Sequence, residues 1–295
     1  MKFGTITVSE RSRAAALACV VAAAVLWSLS GAFKSVLLEP TALGLNEPPV
    51  LPLHIAFWRA LAAGVVLLPL LRRRDITYRP AMLGMVACFA TMNWMFVQAL
   101  SRGTAANAIF LQYTAPLWLY VGGIALLGES PDRRSTIAVV LGLIGVGVMV
   151  AAGWRDERLD IVLLALGSGV TYAGVLLFLR VLRGESAAWL TVQNHLGAAL
   201  VLTPLMIALP MPSAGQLAWL TLFGAVQMAL PYVLMARGLR QVSAQEAGTL
   251  TLLEPLLNPL WAYLVAPERE RMTTATLVGG IFILAGIAAR YWPRR

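Results

Sequence analysis

Long stretches without a charged side chain recur along this chain. Twenty-two uncharged residues separate Arg79 from Arg102, and the next 26 residues before Glu129 are also uncharged. An α-helix needs about 20 apolar residues to cross about 30 Å of hydrocarbon. The sequence therefore predicts a protein built from membrane-spanning helices.

The uncharged stretches divide into ten predicted spans with short connections. Arg59 in the second span and Glu254 in the ninth are charges deep within a span. One stretch of 51 residues is long enough for two spans, and the turn-forming residues Pro210–Gly215 divide it. The predicted spans cover residues 14–36, 51–71, 80–101, 104–127, 135–153, 160–182, 187–209, 215–237, 244–265 and 273–291.

The composition excludes the main alternatives. Hydrophobic residues make up 59% and charged residues 13%, whereas soluble domains carry about 25% charged residues. A net charge of +9 would suit nucleic-acid binding in a soluble protein, but here the basic residues lie in short gaps between apolar runs. Cys19 and Cys88 both lie within apolar runs, without a disulfide framework or metal-ligand spacing. We expect no nucleic-acid partner, no metal and no other cofactor.

The distribution of basic residues predicts the orientation in the membrane. If the N-terminus is cytoplasmic and the spans alternate, 16 of the 23 lysines and arginines fall on the cytoplasmic side, five on the other side and two within spans. Such a bias is typical of cytoplasmic loops. It places both termini in the cytoplasm, which requires an even number of spans.

The two halves of the chain resemble each other. A shift of 139 residues aligns Pro116 with Pro255 and Glu129 with Glu268. Because apolar sequences match by chance at Leu, Ala and Val, the matched prolines and glutamates are the main evidence for this similarity. The matches indicate an internal duplication.

A duplication of ten spans gives two units of five helices, residues 1–155 and 156–295. Because five is odd, the second unit enters the membrane from the opposite side. Inverted repeats of this kind are typical of carriers that open alternately on either side. The predicted fold class is therefore an all-α membrane protein of ten transmembrane helices arranged as two inverted five-helix repeats.

Short motifs follow one another in successive spans of the first half. In order, they are Leu26-Trp27-Ser28, Arg59-Ala60-Leu61, Ala99-Leu100, Ala115-Pro116 and Leu127-Gly128-Glu129. In this order they resemble the drug/metabolite transporter superfamily, most closely its EamA-type carriers, although the second half departs from the pattern, with Asn194 in the place of Arg59. Within the superfamily, the chain is most similar to the bacterial aromatic amino-acid exporters. The resemblance implies efflux of small metabolites across a bacterial inner membrane without identifying the substrate.

Charged and ionisable groups at membrane depth are the first candidates for a functional site, because each costs about 2.5–3.5 kcal/mol at a helix centre. Lys34 ends the first span, where its ammonium can extend outward to the surface, and it is expected to have a structural role. Two interpretations of Arg59 stay open: it binds a carboxylate, or it holds helices together through contacts with carbonyl groups. His54 is expected at the membrane interface. For His195 a helix–helix hydrogen bond and a proton relay both stay open.

Glu254 near the middle of the ninth span is the most informative of these groups. It directly precedes Pro255, which leaves the carbonyl of residue 251 without its helical donor. Glu254 is predicted either to bind a substrate amino group or a proton, or to pair with Arg59 or Lys34 as a structural contact.

Polar and aromatic residues deep in other spans complete a predicted cavity that suits apolar or aromatic side chains. Pro116 and Pro255, at matched positions, are predicted hinges. The predicted substrate-binding residues are Trp27, Asn93, Trp94, Gln112, Tyr113, Thr171, Tyr172, Gln227, Tyr232, Glu254 and Asn258.

The predicted function is export of small amphipathic metabolites, chiefly amino acids including aromatic ones, by alternating access. The alternative is multidrug or lipid-linked metabolite efflux by the same fold. An intramembrane enzyme built on Ser168 and His195 is not favoured, because the flanking motif of such enzymes is lacking, and we expect no catalytic residues. The partners are then a small-molecule substrate and membrane lipid. Glycines in the fifth and tenth spans favour close helix contacts, within the chain or in a homodimer: Gly142, Gly145, Gly147, Gly279, Gly280 and Gly286.

Overall fold

The computed structural model describes residues 8–128, 130–156, 158–242, 246–247 and 250–291, and within these ranges it contains helices without β-strands. The predicted all-α class is confirmed for these residues. The first half contains α1 (Val8–Ser28), α2 (Ser30–Leu38), α3 (Pro52–Leu67), α4 (Pro80–Arg102), α5 (Ala105–Gln112), α6 (Ala115–Leu127) and α7 (Arg133–Arg155). The second half contains α8 (Leu159–Val181), α9 (Ala187–Met206), α10 (Ala214–Leu222), a π-helical segment (Phe223–Ala229), α11 (Leu230–Gly238), α12 (Leu253–Val265) and α13 (Thr274–Tyr291).

Seven helical stretches in the described ranges are long and apolar enough to cross a membrane. The other three predicted spans contain α9, α12 and α13. Glu129 lies outside the described residues, as do 244–245 and 248–249 of the ninth predicted span. The total of ten spans therefore stays a prediction. The seven stretches are Ser12–Leu38, Pro52–Leu70, Pro80–Arg102, Ala105–Ala125, Arg133–Arg155, Leu159–Val181 and Ala214–Gly238.

Contacts between connecting segments show which helix ends lie together. Arg13 near the start of α1 forms an ion pair with Glu246 at 2.6 Å, and we call this end of the bundle the α1 face. At the opposite end, the α2 face, Arg269 between α12 and α13 pairs with Glu39 directly after α2 at 3.3 Å. Because α1 and α2 form one stretch, Ser12–Leu38, and successive stretches run in alternate directions, α3 ends and α4 begins at the α1 face.

A polar contact at the α1 face joins the α3–α4 connection to the α8–α9 connection. Glu185 accepts hydrogen bonds from the Thr77 hydroxyl and from Nε of Arg79, the latter at 3.0 Å. Nε1 of Trp189 donates to the Thr77 carbonyl at 2.8 Å. The Thr77 hydroxyl and the Arg79 guanidinium lower the pKa of Glu185 below its ordinary value, since both favour the ionised carboxylate.

Three spans are interrupted near mid-depth, where the sequence predicts continuous helices. Leu29 separates α1 from α2, and the turn Tyr113–Thr114 separates α5 from α6. The turn Thr251–Leu252 precedes α12. Pro116 and Pro255 lie in the first turns of α6 and α12, where a missing N–H interrupts no helical hydrogen bond. Each proline thus begins a half-helix and does not kink a continuous one.

Three of the six glycines in the fifth and tenth spans join α7 to α13 within the chain. A Cβ atom at Gly145 would lie 2.5 Å from the carbonyl oxygen of Gly279, and one at Gly279 would lie 2.8 Å from that of Gly145. A Cβ atom at Gly286 would lie 2.8 Å from the Ala138 carbonyl oxygen. These contacts require glycine because the two backbones touch. The homodimer stays a prediction, without support from these faces.

Candidate functional site

A cavity of about 310 Å³ lies near mid-depth between the two halves of the chain. Several lining residues of the second half lie past the middle of helical stretches that finish at the α1 face: Tyr172 in α8, Tyr232 in Ala214–Gly238 and Ile287 in α13. The cavity therefore extends from mid-depth toward the α1 face. Its volume falls in the range of small-molecule sites, about 300–1,000 Å³.

Most of the residues that the sequence singles out come together in this cavity. The two half-helices α6 and α12 bring their first turns to its wall, and α1, α8 and α11 bring aromatic side chains. Their placement is consistent with the predicted roles, which stay predictions. The lining includes Trp27, Gln112, Tyr113, Pro116, Tyr172, Gln227, Tyr232 and Glu254.

Other predicted residues lie outside the cavity wall. Asn93 and Asn258 are fully buried and hold wall residues in place. Thr171 donates its hydroxyl hydrogen to a carbonyl of its own helix at 2.8 Å. Trp94 packs against the main apolar core, and Pro255 follows Glu254 in α12 without lining the cavity. A direct substrate contact for these residues stays a prediction.

Arg59 supplies a positive charge to the cavity. Its side chain, in the middle of α3, donates from Nη2 and Nε to Oδ1 of Asn93 at 2.7 and 3.3 Å. The Asn93 amide nitrogen donates to the Ala56 carbonyl at 2.8 Å, which sets the orientation of the amide. The Phe96 and Phe223 rings lie 5.7 and 5.4 Å from the guanidinium carbon, within cation–π range. Among the described residues, Arg59 has no carboxylate within ion-pair distance.

Glu254 supplies a negative charge on another wall. Its Oε2 accepts a hydrogen bond from the Tyr113 hydroxyl at 2.7 Å, and that hydroxyl also lies 3.0 Å from the Thr251 carbonyl oxygen. The same carbonyl also accepts the backbone N–H of Glu254 at 3.0 Å. Ion pairs of Glu254 with Arg59 or Lys34, one of the two interpretations from sequence, are not formed among the described residues. Within the described part of the chain, Glu254 therefore faces the cavity with a hydroxyl partner and without a cation.

Two aromatic rings and one side-chain amide form another part of the cavity wall. Trp27 and Tyr232 pack edge to face with ring centroids 5.4 Å apart. Gln227, in the π-helical segment, donates to the Trp27 carbonyl at 3.0 Å, while its Oε1 has no partner in the described residues. Tyr232 lies within electrostatic range of both Arg59 and Glu254. Both charges thus border one aromatic-walled space.

His195 and Ser168 do not form the pair that an enzyme would need. Nδ1 of His195 lies 2.8 Å from the Thr191 carbonyl oxygen on its own helix, α9, and the ring packs against Phe89. The Ser168 hydroxyl donates to the Ala165 carbonyl at 2.6 Å. The expected helix–helix hydrogen bond of His195 is therefore replaced by a bond within one helix turn.

A buried ion pair lies between the cavity and the α2 face. Lys34 pairs with Oε1 of Glu270, and the two side chains are 0% and 1% exposed. The other carboxylate oxygen of Glu270 accepts the N–H of Ala105, the first residue of α5, at 2.7 Å. The expectation that Lys34 extends outward is wrong, because Glu270, distant in sequence, neutralises it inside the protein.

Tightly packed small residues lie between the cavity and this ion pair. The Asn258 amide nitrogen donates to the Ser30 hydroxyl at 2.6 Å. A Cβ atom at Gly31 would lie 2.5 Å from Oδ1 of Asn258 and 2.8 Å from the methyl groups of Ala105 and Ala262. This contact of α2, α5 and α12 separates the cavity from the α2 face.

His54 is also more buried than expected. It is 2% exposed, and its Nδ1 accepts the N–H of Leu51 at 3.1 Å across the first turn of α3. The imidazole therefore caps a helix end, where N–H groups lack intrahelical acceptors, and does not face the membrane interface.

The sequence does not single out the apolar part of the cavity wall. Phe89, Met92 and Phe96 lie three and four residues apart on one face of α4, but every face of an apolar helix offers similar residues. Helical periodicity becomes informative only when the side that faces the cavity is known. The other lining residues not expected are Ser30, Ala115, Leu176, Met228, Thr251, Leu252 and Ile287.

A bundle of membrane-spanning helices with a polar, aromatic-walled cavity between its halves has the architecture of a small-molecule transporter. The model of the EamA-like transporter family matches residues 14–151 and again residues 160–291. The chain belongs to this family, and the predicted EamA-type resemblance is confirmed.

Two relatives agree with this assignment, and a solved structure shares the fold. An uncharacterized transporter of Archaeoglobus fulgidus is 31% identical over 195 residues, which are 65% of this chain and 69% of the relative. The uncharacterized transporter YwfM of Bacillus subtilis is 26% identical over 290 residues, 92% of this chain and 87% of the relative. A crystal structure with 16% identity superposes with a TM-score of 0.64 over 94% of this chain and 97% of that chain. This last similarity concerns the fold alone, and neither relative's name states a substrate.

Proposed function

We propose that this protein is a bacterial inner-membrane carrier that exports small amphipathic metabolites, amino acids with aromatic side chains among them. The observation that carries the proposal is the pair of opposite charges at the cavity. Arg59 and Glu254 both line it, and neither has an ion-pair partner among the described residues. Ionisable groups at membrane depth mark substrate and ion pathways. A zwitterion supplies the two counter-charges that this cavity lacks.

The binding mode follows from the geometry. The substrate carboxylate accepts two parallel hydrogen bonds from Arg59, whose fork matches a carboxylate, and the ammonium group lies against Glu254. The first turns of α6 and α12 add partial positive charge at mid-depth, as half-helices do in other carriers. The side chain rests against Trp27 and Tyr232, where an aromatic substrate gains edge-to-face contacts.

We also propose ten spans in two inverted units, residues 1–155 and 156–295, with both termini in the cytoplasm. Three observations support this arrangement. The family model matches the chain twice, once in each half. The turns that begin α6 and α12 lie 138 residues apart. The basic residues are concentrated on one side of the predicted topology.

In this orientation the α1 face is cytoplasmic, and the structure corresponds to an inward-facing state. The cavity reaches toward the α1 face, while the Lys34–Glu270 pair closes the α2 face. Export by alternating access then requires opening of the α2 face and closure of the α1 face. Pro116 and Pro255, at the first turns of the half-helices that meet the cavity, are the proposed hinges.

The second candidate is efflux of hydrophobic cations or of lipid-linked metabolites. A buried carboxylate among aromatic rings is a binding site for an organic cation, and Glu254 beside Tyr113 and Tyr172 fits that description. The two candidates differ in whether Arg59 takes part. A cation gains nothing from a guanidinium, whereas a zwitterion needs one.

The test is efflux from proteoliposomes loaded with radiolabelled L-phenylalanine or with tetraphenylphosphonium, with and without a pH gradient. Phenylalanine efflux lost in both Arg59→Gln and Glu254→Gln supports the amino-acid proposal. Glu268→Gln, an exposed acid paired with Arg271 at the surface, is the matched control. Efflux of the cation alone, dependent on Glu254 and indifferent to Arg59, favours the second candidate. If the protein transports neither probe, the choice of substrate class is wrong.

A further inference from the structure

We propose that Lys34 and the amino end of α5 form a second carboxylate-binding subsite, on the exit path at the α2 face. Glu270 occupies it while this face is closed, and the carboxylate of the exported substrate takes its place as the face opens. The part of the inference that concerns the substrate rests on the proposed function.

The subsite already holds a carboxylate inside the protein. One oxygen of Glu270 meets the ammonium group of Lys34, and the other accepts the N–H of Ala105 at 2.7 Å. Lys34 is fully buried, so its charge is directed at this ligand and not at water. A helix amino end and a buried cation favour the same kind of group, a compact anion with two acceptor oxygens.

The subsite lies directly beyond the cavity. Ser30 lines the cavity, and Lys34 follows four residues later on the same face of α2, one helical turn nearer the α2 face. The contact of Gly31 with Asn258 and Ala262 fills the space between them. A molecule that leaves the cavity along α2 therefore meets the Lys34 ammonium group next.

The contacts around Glu270 indicate what has to move. Glu270 lies in the connection between α12 and α13, which Arg269 also holds, through Glu39 at 3.3 Å and the Ser101 carbonyl at 3.1 Å. The Arg269 side chain is 44% exposed, and exposed ion pairs contribute little to stability. The buried pair of Lys34 and Glu270 therefore holds this connection more strongly than the exposed contacts of Arg269 do.

Substrate binding offers a way to open the face without leaving a charge unpaired. If Glu270 withdrew alone, the ammonium group of Lys34 would be buried without a counter-charge, which is strongly unfavourable. An arriving carboxylate takes over both hydrogen-bond donors as Glu270 leaves, so the number of ion pairs is conserved. An amine without a carboxylate cannot make this exchange.

The first test uses the purified full chain and needs no transport. Glu270→Gln leaves the subsite without its carboxylate, so the variant is expected to melt lower than the wild type. Sodium acetate should raise its Tm by several degrees above the effect of equal sodium chloride, because a ligand that binds the folded state stabilises it. Acetamide, the neutral analogue, should have no effect. Glu268→Gln, exposed and two residues earlier, should show no acetate response.

Three results would overturn the subsite. One is a folded Glu270→Gln protein that does not respond to acetate. Another is an acetate response that persists in the double variant Lys34→Met/Glu270→Gln. If Glu270→Gln is not recovered as a folded protein in chloride, its purification in sodium acetate replaces the first measurement, and acetate but not acetamide should restore a monodisperse protein. A failure of acetate to restore it would contradict the proposal.

The second test concerns the substrate. In proteoliposomes, 3-phenylpropionate on the release side should inhibit phenylalanine efflux at about tenfold lower concentration in Glu270→Gln than in the wild type, as expected for a newly available charged hydrogen bond. An acetate response without phenylalanine transport leaves the subsite standing and refutes the proposed substrate. Phenylalanine transport without the acetate response and without this inhibition refutes the subsite alone.

Discussion

Replacing Asn93 by leucine is expected to weaken the binding of carboxylate substrates and to spare amines without a carboxylate. Asn93 does not line the cavity, but its Oδ1 accepts from Nη2 and Nε of Arg59 at 2.7 and 3.3 Å. A hydrogen bond to a charged group contributes about 1.5–3 kcal/mol. Without it the guanidinium is free to turn away from the cavity. Since about 1.4 kcal/mol corresponds to a tenfold change, carboxylate binding should weaken about 10- to 100-fold.

The assay compares L-phenylalanine with phenethylamine, which keeps the ring and the ammonium group and lacks the carboxylate. Both compete with radiolabelled phenylalanine in proteoliposomes. The matched control is Asn194→Leu, because Asn194 is also a buried amide, at 6% exposure against 0% for Asn93, and lies outside the cavity wall. Only Asn93→Leu should raise the inhibition constant of phenylalanine, and it should leave that of phenethylamine almost unchanged.

The reasoning is refuted if the two ligands lose affinity equally, since the effect then does not pass through the carboxylate. It is also refuted if Asn93→Leu, recovered as a monodisperse protein, binds phenylalanine like the wild type. In that case Arg59 keeps its position without Asn93, and the hydrogen bonds seen between them do not orient the guanidinium for a ligand.

Three further predictions concern stability. Gly145→Leu should reduce the yield of monodisperse protein in size-exclusion chromatography, because a Cβ atom there would lie 2.5 Å from a backbone oxygen of α13. Gly147→Leu should leave this yield unchanged, because a Cβ atom there would have nothing within 4 Å. Tyr113→Phe removes the 2.7 Å hydrogen bond to Glu254 and should destabilise the protein by about 1–3 kcal/mol, seen as a lower Tm; an unchanged Tm would contradict that hydrogen bond. The pKa of Glu185 is lower in the folded protein than its ordinary value of about 4.3. The ionised Glu185 carboxylate therefore stabilises the folded state fully when the pH is above that ordinary value. This stabilisation is lost as the pH falls through the lowered pKa. A Tm-against-pH profile should show this acid loss in the wild type and not in Glu185→Gln.

The extent of the spans is predictable from the sequence because it depends on a local property. A helix that crosses lipid satisfies its backbone hydrogen bonds internally and excludes charge over about 20 residues. The predicted bounds 135–153 and 160–182 accordingly agree closely with Arg133–Arg155 and Leu159–Val181. The break at Leu29 escapes the same reasoning, because neither a proline nor a charge marks it.

The candidate site is predictable only in part. Gln112, Tyr113 and Glu254 stand out as polar groups in apolar runs, and all three line the cavity. Asn93 stands out for the same reason, but it does not line the cavity and accepts hydrogen bonds from Arg59, which does. An uncharged run gives the length of a helix but not its rotation about its own axis, so polarity alone does not distinguish a wall residue from one behind the wall.

The sequence by itself determines the helical membrane class, the extent of individual helices such as Arg133–Arg155, and the family. Only the tertiary structure decides which charges meet, because the partners lie far apart along the chain. Lys34 and Glu270 are 236 residues apart, and Tyr113 and Glu254 are 141 apart. Local sequence patterns indicate whether a segment favours lipid or water, but not which distant residue it contacts. A lysine that ends a span is compatible with both the membrane surface and a buried ion pair, and packing of the distant α12–α13 connection selects the second.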